Sequence, residues 1–453
     1  MARSGVRPER NKQPGVGNAP AQIDYQYVEE QADLDAIIDV LVGIDRYALD
    51  TEFHRERTYF PKLALVQVAW HETADDGTKT QRLALIDPLV VDVTVFGRVF
   101  DTEALCVIHA AQQDLDVLTH SIGSVPRRMF DTQLAAGFVG YGTPSLVALL
   151  QGEINVTPAK GDRLTDWLRR PLTENQCQYA AVDVEYLLEV HQLLVAKLAE
   201  AGRLEWSADA CEELRTRPAS GANPENAWLR LKDARSLRPS SRAVAQSIAA
   251  WRERRAMRVD IPVRQVLPDL AILGISQRGP SSLKELSQAR GVDERHSRGS
   301  IAEEILEAVK VGKGNDAPEA PNSPDDLDRN LRPAVTLVSA WVSQLAHDEK
   351  IDTVLLGTRG DIVSFLRGDD DARLAHGWRA AMLGDGVRDL VDGKAGLTFD
   401  GKGRLKLISV EYSCCAAETT TDRTLRDGPA AVGMDRKAIA DGLVENHALP
   451  KQG

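Results

Sequence analysis

The sequence predicts an α/β domain, a mixed sheet covered by helices, followed by one or two all-α domains. Three observations predict it. Across residues 24–200, short apolar runs alternate with segments of helical period. Across 226–310, and again across 327–395, helical periods dominate. Pro/Gly/Ser-rich breaks at "TRPASGANPE" (216–225) and "VGKGNDAPEAPNSPDD" (311–326) separate these regions.

The elements follow in order. "DYQYVEEQADLDAIIDVLVG" opens as a strand and continues as a helix with Leu34, Ile37, Ile38 and Leu41 on one face. "YALDTE", "LALVQVA", "RLALIDPLV" and "ALCVIHA" are apolar strands. "AQQDLDVLTHSIG" is a helix ending near Gly123, and "SLVALLQGEI" is another. One long helix is expected from about Thr173 to Ala201. "SRAVAQSIAAWRERRAMRVD", "SSLKELSQA" and "RGSIAEEILEAVKV" are helices of the next region. "LTFDGKGRLKLISVEYS" reads as a hairpin. The expected divisions are a disordered leader (1–22), the α/β domain (23–215), a helical domain (222–310), a linker (311–326), a second helical domain (327–412) and a disordered tail (413–453).

Composition narrows the class. The 453 residues allow two to four domains, and 43% hydrophobic with 27% charged residues is ordinary for a globular chain. No run of about 18 apolar residues is present, so no membrane span is expected. The N-terminus lacks the apolar stretch of a secretory signal. Five cysteines without a CxxC pair fit a reducing cytoplasm and suggest no zinc site. The net charge of −12 argues against a general nucleic-acid binder. Its distribution matters more, because residues 222–258 carry nine Lys/Arg against three Asp/Glu. That is a footprint for phosphate contact, or equally an Arg-rich solvated helix face. No GxxxxGK[ST] motif occurs, so no ATP-driven motor is expected.

The chemistry lies in four acids and a tyrosine. Asp50 and Glu52 are two apart on a strand and share a face. Side by side they repel unless a positive charge lies between them. Asp114 follows a strand, on the first turns of a helix five residues after His109, and Asp116 rivals it. Tyr179 and Asp183 are four apart on a helix and share its face. Hard oxygen ligands suit Mg²⁺ or Mn²⁺ rather than zinc. Two such ions about 3.5–4 Å apart activate water and stabilise a leaving oxygen in phosphodiester cleavage. A tyrosine hydroxyl can orient the attacking water. Each pattern alone is shared with ordinary surface acids.

Together, and in this order, they resemble the exonuclease motifs of the DEDD superfamily in its Tyr subtype, and within it the bacterial ribonuclease D family. "LDTEFHRERTYFPKLALVQVA", "VIHAAQQDLDVL" and "QYAAVDVEYLLEVH" resemble the three motifs, and "FDTQLAAGFVGYG" the segment between the second and third. The His-to-Asp spacing of the second motif selects Asp114 over Asp116. "WRERRAMRVDIPVRQVLPD" resembles an HRDC domain, the helical module shared with RecQ-type helicases. The 327–395 region is expected to be a second, degenerate copy.

The resemblance implies a ribonuclease H-like sheet and a 3′-5′ exoribonuclease. It implies two Mg²⁺ or Mn²⁺ held by Asp50, Glu52, Asp114 and Asp183, with Tyr179 positioning water. The implied substrate is RNA with a free 3′ end, precursor tRNA above all. A DNA 3′-5′ exonuclease and a non-catalytic nucleic-acid scaffold are the alternatives. Arg55, Arg57, Thr58 and Tyr59 are candidate contacts to the nucleic-acid strand, or else shape the turn. His109 is a further candidate contact, or else supports the strand-to-helix junction. Gln67 is expected to bond neighbouring backbone, Asp131 to cap a helix, and Trp228 and Trp251 to be core.

Overall fold

The computed structural model describes residues 22–74, 76–158, 165–219, 223–320 and 327–410. The leader expected over 1–22 lies outside them except for Gln22, and the tail expected over 413–453 lies wholly outside. The strands are β1 (Gln26–Val28), β2 (Arg46–His54), β3 (Lys62–Thr73), β4 (Lys79–Ile86), β5 (Leu105–Ile108) and β6 (Arg128–Asp131). They form one sheet in the order β1-β4-β3-β2-β5-β6. The β2–β3 and β3–β4 pairs are antiparallel, while β2–β5, β5–β6 and β1–β4 are parallel.

Both faces of this sheet are covered, which explains why "LALVQVAW" is apolar without alternation. On one face pack α1 (Gln31–Leu41) and α2 (Gln112–Ser121), around aliphatic residues such as Leu34, Ile38, Leu49, Val66 and Val68. On the other pack α5 (Glu174–Glu185) and α6 (Leu187–Glu200), over Ala48, Leu65, Ala69, Leu83 and Leu85. Between these elements lie α3 (Thr132–Gly137) and α4 (Leu146–Ile154), and α7 (Leu204–Arg215) closes the domain.

The long helix expected from Thr173 to Ala201 is two helices, broken at Tyr186. At this break the Gln81 side-chain amide donates to the Glu185 carbonyl at 2.6 Å.

The next region is helical, as its periodicity predicts. It centres on α8 (Pro239–Val259), which packs with α9 (Asp269–Arg278) and α10 (Gly299–Gly314) around Trp228, Ile248, Ile272 and Ile305. Trp228 is buried, and the partly buried Trp251 donates its indole N–H to Glu304 at 2.8 Å. The helix α10 runs to Gly314, past the point where a linker is expected from 311. Gly312 permits this, because a Cβ there would stand 2.6 Å from the Val244 Cα. Much of the basic excess of α8 is paired inside the domain. Arg252 is buried and bonds Asp269, Arg254 pairs with Glu225, and Arg255 pairs with Glu304.

Beyond the segment 321–326, which is not described, come α11 (Arg332–Glu349) and α12 (Arg359–Arg367). Their apolar residues Val338, Trp341, Ile362 and Val363 join the same core as the α5–α6 face of the sheet. The expected hairpin forms between β7 (Ala395–Phe399) and β8 (Leu405–Ser409). Among the described residues no helix is long and apolar enough to cross a membrane.

Candidate active site

The pleat of β2 turns Asp50 and Glu52 toward the face that α5 covers. The helix α5 is anchored at its start by a capping box between Thr173 and Gln176. It brings Asp183 to the β2 acids, with Tyr179 one turn earlier on the same face of the helix. Asp50, Glu52 and Asp183 each offer an oxygen within 4.8 Å of the others, so these three converge.

Asp114 stands beside this group rather than in it. It lies on the first turn of α2, is only 6% exposed, and accepts a 2.5 Å hydrogen bond from the Thr51 hydroxyl. Thr51 lies between Asp50 and Glu52 but points to the opposite pleat. The motifs do not single out Thr51, although its place between two predicted ligands is a usable signal.

A β-bulge adjoins Glu52. Glu52 pairs with Leu65 and Phe53 with Leu63, so Ala64 is the extra residue on β3. Gln67 lies opposite Asp50 in the register and is fully buried. Neither atom of its amide has a hydrogen-bond partner, contrary to the backbone contact expected for it.

The electrostatics follow from crowding. Burial, then the charges of Asp114, Asp183 and Glu52, push the Asp50 carboxyl well above the usual range. Burial, then Asp183 and Asp114, push Glu52 up to about 8. Burial raises Asp114 to about 7 against the opposing Thr51 hydrogen bond. Such a cluster of carboxylate oxygens fits hard divalent cations.

The other candidates are placed around this group. Arg55 is exposed and pairs with Asp116 at 3.0 Å, and Arg57 is exposed as well. Thr58 donates to the Phe60 carbonyl at 2.6 Å, so its hydroxyl shapes the turn. Tyr59 reaches the helical domain, where its hydroxyl donates to Glu253 at 2.6 Å. The backbone N–H groups of Tyr59 and Phe60 both donate to Asp260, at 3.0 and 3.1 Å. Glu253 is also paired with Arg230. No local signal marks these contacts, since the partners are about 200 residues apart.

His109 pairs through Nδ1 with the Thr132 hydroxyl at 2.9 Å, at the strand-to-helix junction. Asp131 caps α3 as expected and also accepts from the backbone of Ala110 and Ala111. It thereby fixes the turn that leads into Asp114. A cavity of about 650 Å³ opens beside Arg55, with Arg217 and Arg373 on its wall.

Comparison with known proteins adds to this geometry. A family model described as 3′-5′ exonuclease matches residues 25–199, and the HRDC domain model matches residues 241–309. The chain is 34% identical to ribonuclease D of Jannaschia sp. (strain CCS1), over 80% of this chain and 94% of that protein. It is 30% identical to ribonuclease D of Escherichia coli (strain K12), over 82% of this chain and 99% of that protein. The crystal structure of Escherichia coli RNase D, "an exoribonuclease involved in structured RNA processing", superposes with a TM-score of 0.71 at 28% identity. That superposition covers 82% of this chain and 99% of the other.

Proposed function

The chain belongs to the ribonuclease D family and is a 3′-5′ exoribonuclease, and from that premise we propose that it trims precursor tRNA and other small structured RNAs from a free 3′ end. The products are nucleoside 5′-monophosphates. The observation that carries this reading is the convergence of Asp50, Glu52 and Asp183, with Tyr179 one helical turn from Asp183.

The family uses divalent metal, and the all-carboxylate donor set here suits it. In our reading two Mg²⁺ or Mn²⁺ ions are held by Asp50, Glu52, Asp114 and Asp183. When bound, such ions offset the carboxylate charges and the charge that develops on the scissile phosphate. The Thr51 hydrogen bond opposes the effect of burial by favouring the ionised form of Asp114, and it aims that carboxylate. Tyr179 orients the attacking water through its hydroxyl, and Trp167 stands behind its ring. The protein's share of catalysis is thus placement and charge.

The HRDC domain helps hold the RNA body, and 327–412 is read as a second, degenerate HRDC-like domain. The domain limits at 23–215 and 222–310 belong to the same reading. A cytoplasmic place of action is supported by Cys106, Cys177 and Cys211, which are free thiols among the described residues.

The test is cleavage of matched 3′-tailed RNA and DNA with Mg²⁺, Mn²⁺ or EDTA, resolved at single nucleotides. A ladder shortening from the RNA 3′ end, absent in EDTA, is expected. Equal cleavage of the DNA would favour a general 3′-5′ exonuclease. Binding without cleavage of either would favour a scaffold.

A further inference from the structure

Arg170 divides its guanidinium among four groups, one of them at the bulge beside Glu52. Its Nη2 donates to the Ala64 carbonyl at 2.6 Å, the extra residue of the bulge beside Glu52. Its Nη1 donates to the Trp167 carbonyl at 2.7 Å and to the Arg169 carbonyl at 3.1 Å. Its Nε and Nη2 form a forked pair with Asp87, the Nη2 contact being 2.7 Å. Asp87 is 1% exposed and also accepts from the Tyr27 hydroxyl at 3.1 Å. Burial would raise the Asp87 carboxyl, yet the Arg170 and Leu89 hydrogen bonds hold it below the usual range.

Trp167 joins this clamp to the chemistry. It is buried, and its ring centroid lies 6.1 Å from that of Tyr179. The far side of the same segment is tied to α5, since Gln176 donates to the Thr165 hydroxyl at 2.9 Å. The strap from Thr165 to Thr173 is therefore fixed at both ends and presses an indole against the phenol. A bulge leaves backbone groups without ladder partners, and here one such carbonyl is claimed by the residue that also holds the strap.

We propose that Arg170 is a positioning residue for Tyr179, acting through Trp167 and braced on the Ala64 bulge and Asp87. The proposal rests on the reading that Tyr179 orients the attacking water. The guanidinium suits the task because its planar fork reaches a carboxylate and backbone carbonyls together. A lysine keeps the charge but offers donors from a single point. Arg170→Lys therefore separates positioning from charge, whereas Arg170→Ala leaves Asp87 buried and unpaired and risks unfolding.

The experiment is a double-mutant cycle on single-turnover RNA cleavage, using the full chain with Mn²⁺ saturating. Arg170→Lys should fold, lower the cleavage rate about tenfold, and leave RNA affinity within about twofold. In the Tyr179→Phe background the same substitution should cost much less, because the group it positions is already gone. An equal loss in both backgrounds, or no loss in Arg170→Lys, would overturn the proposal. A Tyr179→Phe variant that cleaves at the full rate would instead defeat the role given to Tyr179.

Discussion

Thr51 Oγ donates to Asp114 Oδ1 at 2.5 Å, so the residue between two converging acids holds a third from the opposite pleat. A single strand thus organises both sides of the site. Thr51→Val keeps the shape of the side chain and removes the donor. The variant should lose about 1–3 kcal/mol of stability, because a buried carboxylate loses its partner. The Asp114 carboxyl should rise further, so half-maximal activity should need more Mn²⁺ at neutral pH. A metal titration of cleavage checks this, and an unchanged midpoint would count against the role given to Thr51.

Asp50→Asn should abolish cleavage and leave the fold intact. In EDTA at pH 8 the variant should melt at a higher temperature than the parent. It removes one of several carboxylates that repel in the folded state and separate on unfolding. Differential scanning calorimetry reads the sign directly.

Burial, with the neighbouring acids, also sets a pH dependence. Together they push Glu52 up to about 8 in the folded chain, against an ordinary value of 4.5. An acid raised by folding favours the folded state below its ordinary value, and that contribution disappears as pH climbs from about 4.5 to about 8. Melting temperature in EDTA should therefore fall over this window through the acidic cluster. Saturating Mn²⁺ should flatten the fall, and its stabilisation should be larger at pH 8 than at pH 5.5. Paired melts with and without metal across the window test both statements.

Asp260→Ala should loosen the turn after Glu52 from the helical domain. It deletes the acceptor for two backbone N–H groups, those of Tyr59 and Phe60. A loss of about 1–2 kcal/mol is expected, with faster amide exchange confined to the turn and the end of α8. Hydrogen exchange resolved by residue checks it. Exchange left slow at Tyr59 and Phe60 would show that other contacts hold the turn.

Local periodicity made much of the site legible. A two-residue period put Asp50 and Glu52 on one face, and a four-residue spacing did the same for Tyr179 and Asp183. These relations depend on neighbours in the chain, so the residues themselves state them. The apolar run of β3 likewise announced a strand.

Tertiary structure decided which distant groups complete the site. It set Asp114 on Thr51, gave the Tyr59 hydroxyl to Glu253, and divided the expected long helix where Gln81 takes the Glu185 carbonyl. It also gathered Ala64, Asp87 and Trp167 around Arg170. By itself, then, the sequence determined the strands and helices that carry the acids and the order in which they come. Only the packed chain decided the partners of each side chain. The reason is physical: a period is written in consecutive residues, whereas a hydrogen bond across 60 to 200 residues exists only once the layers between its ends have packed.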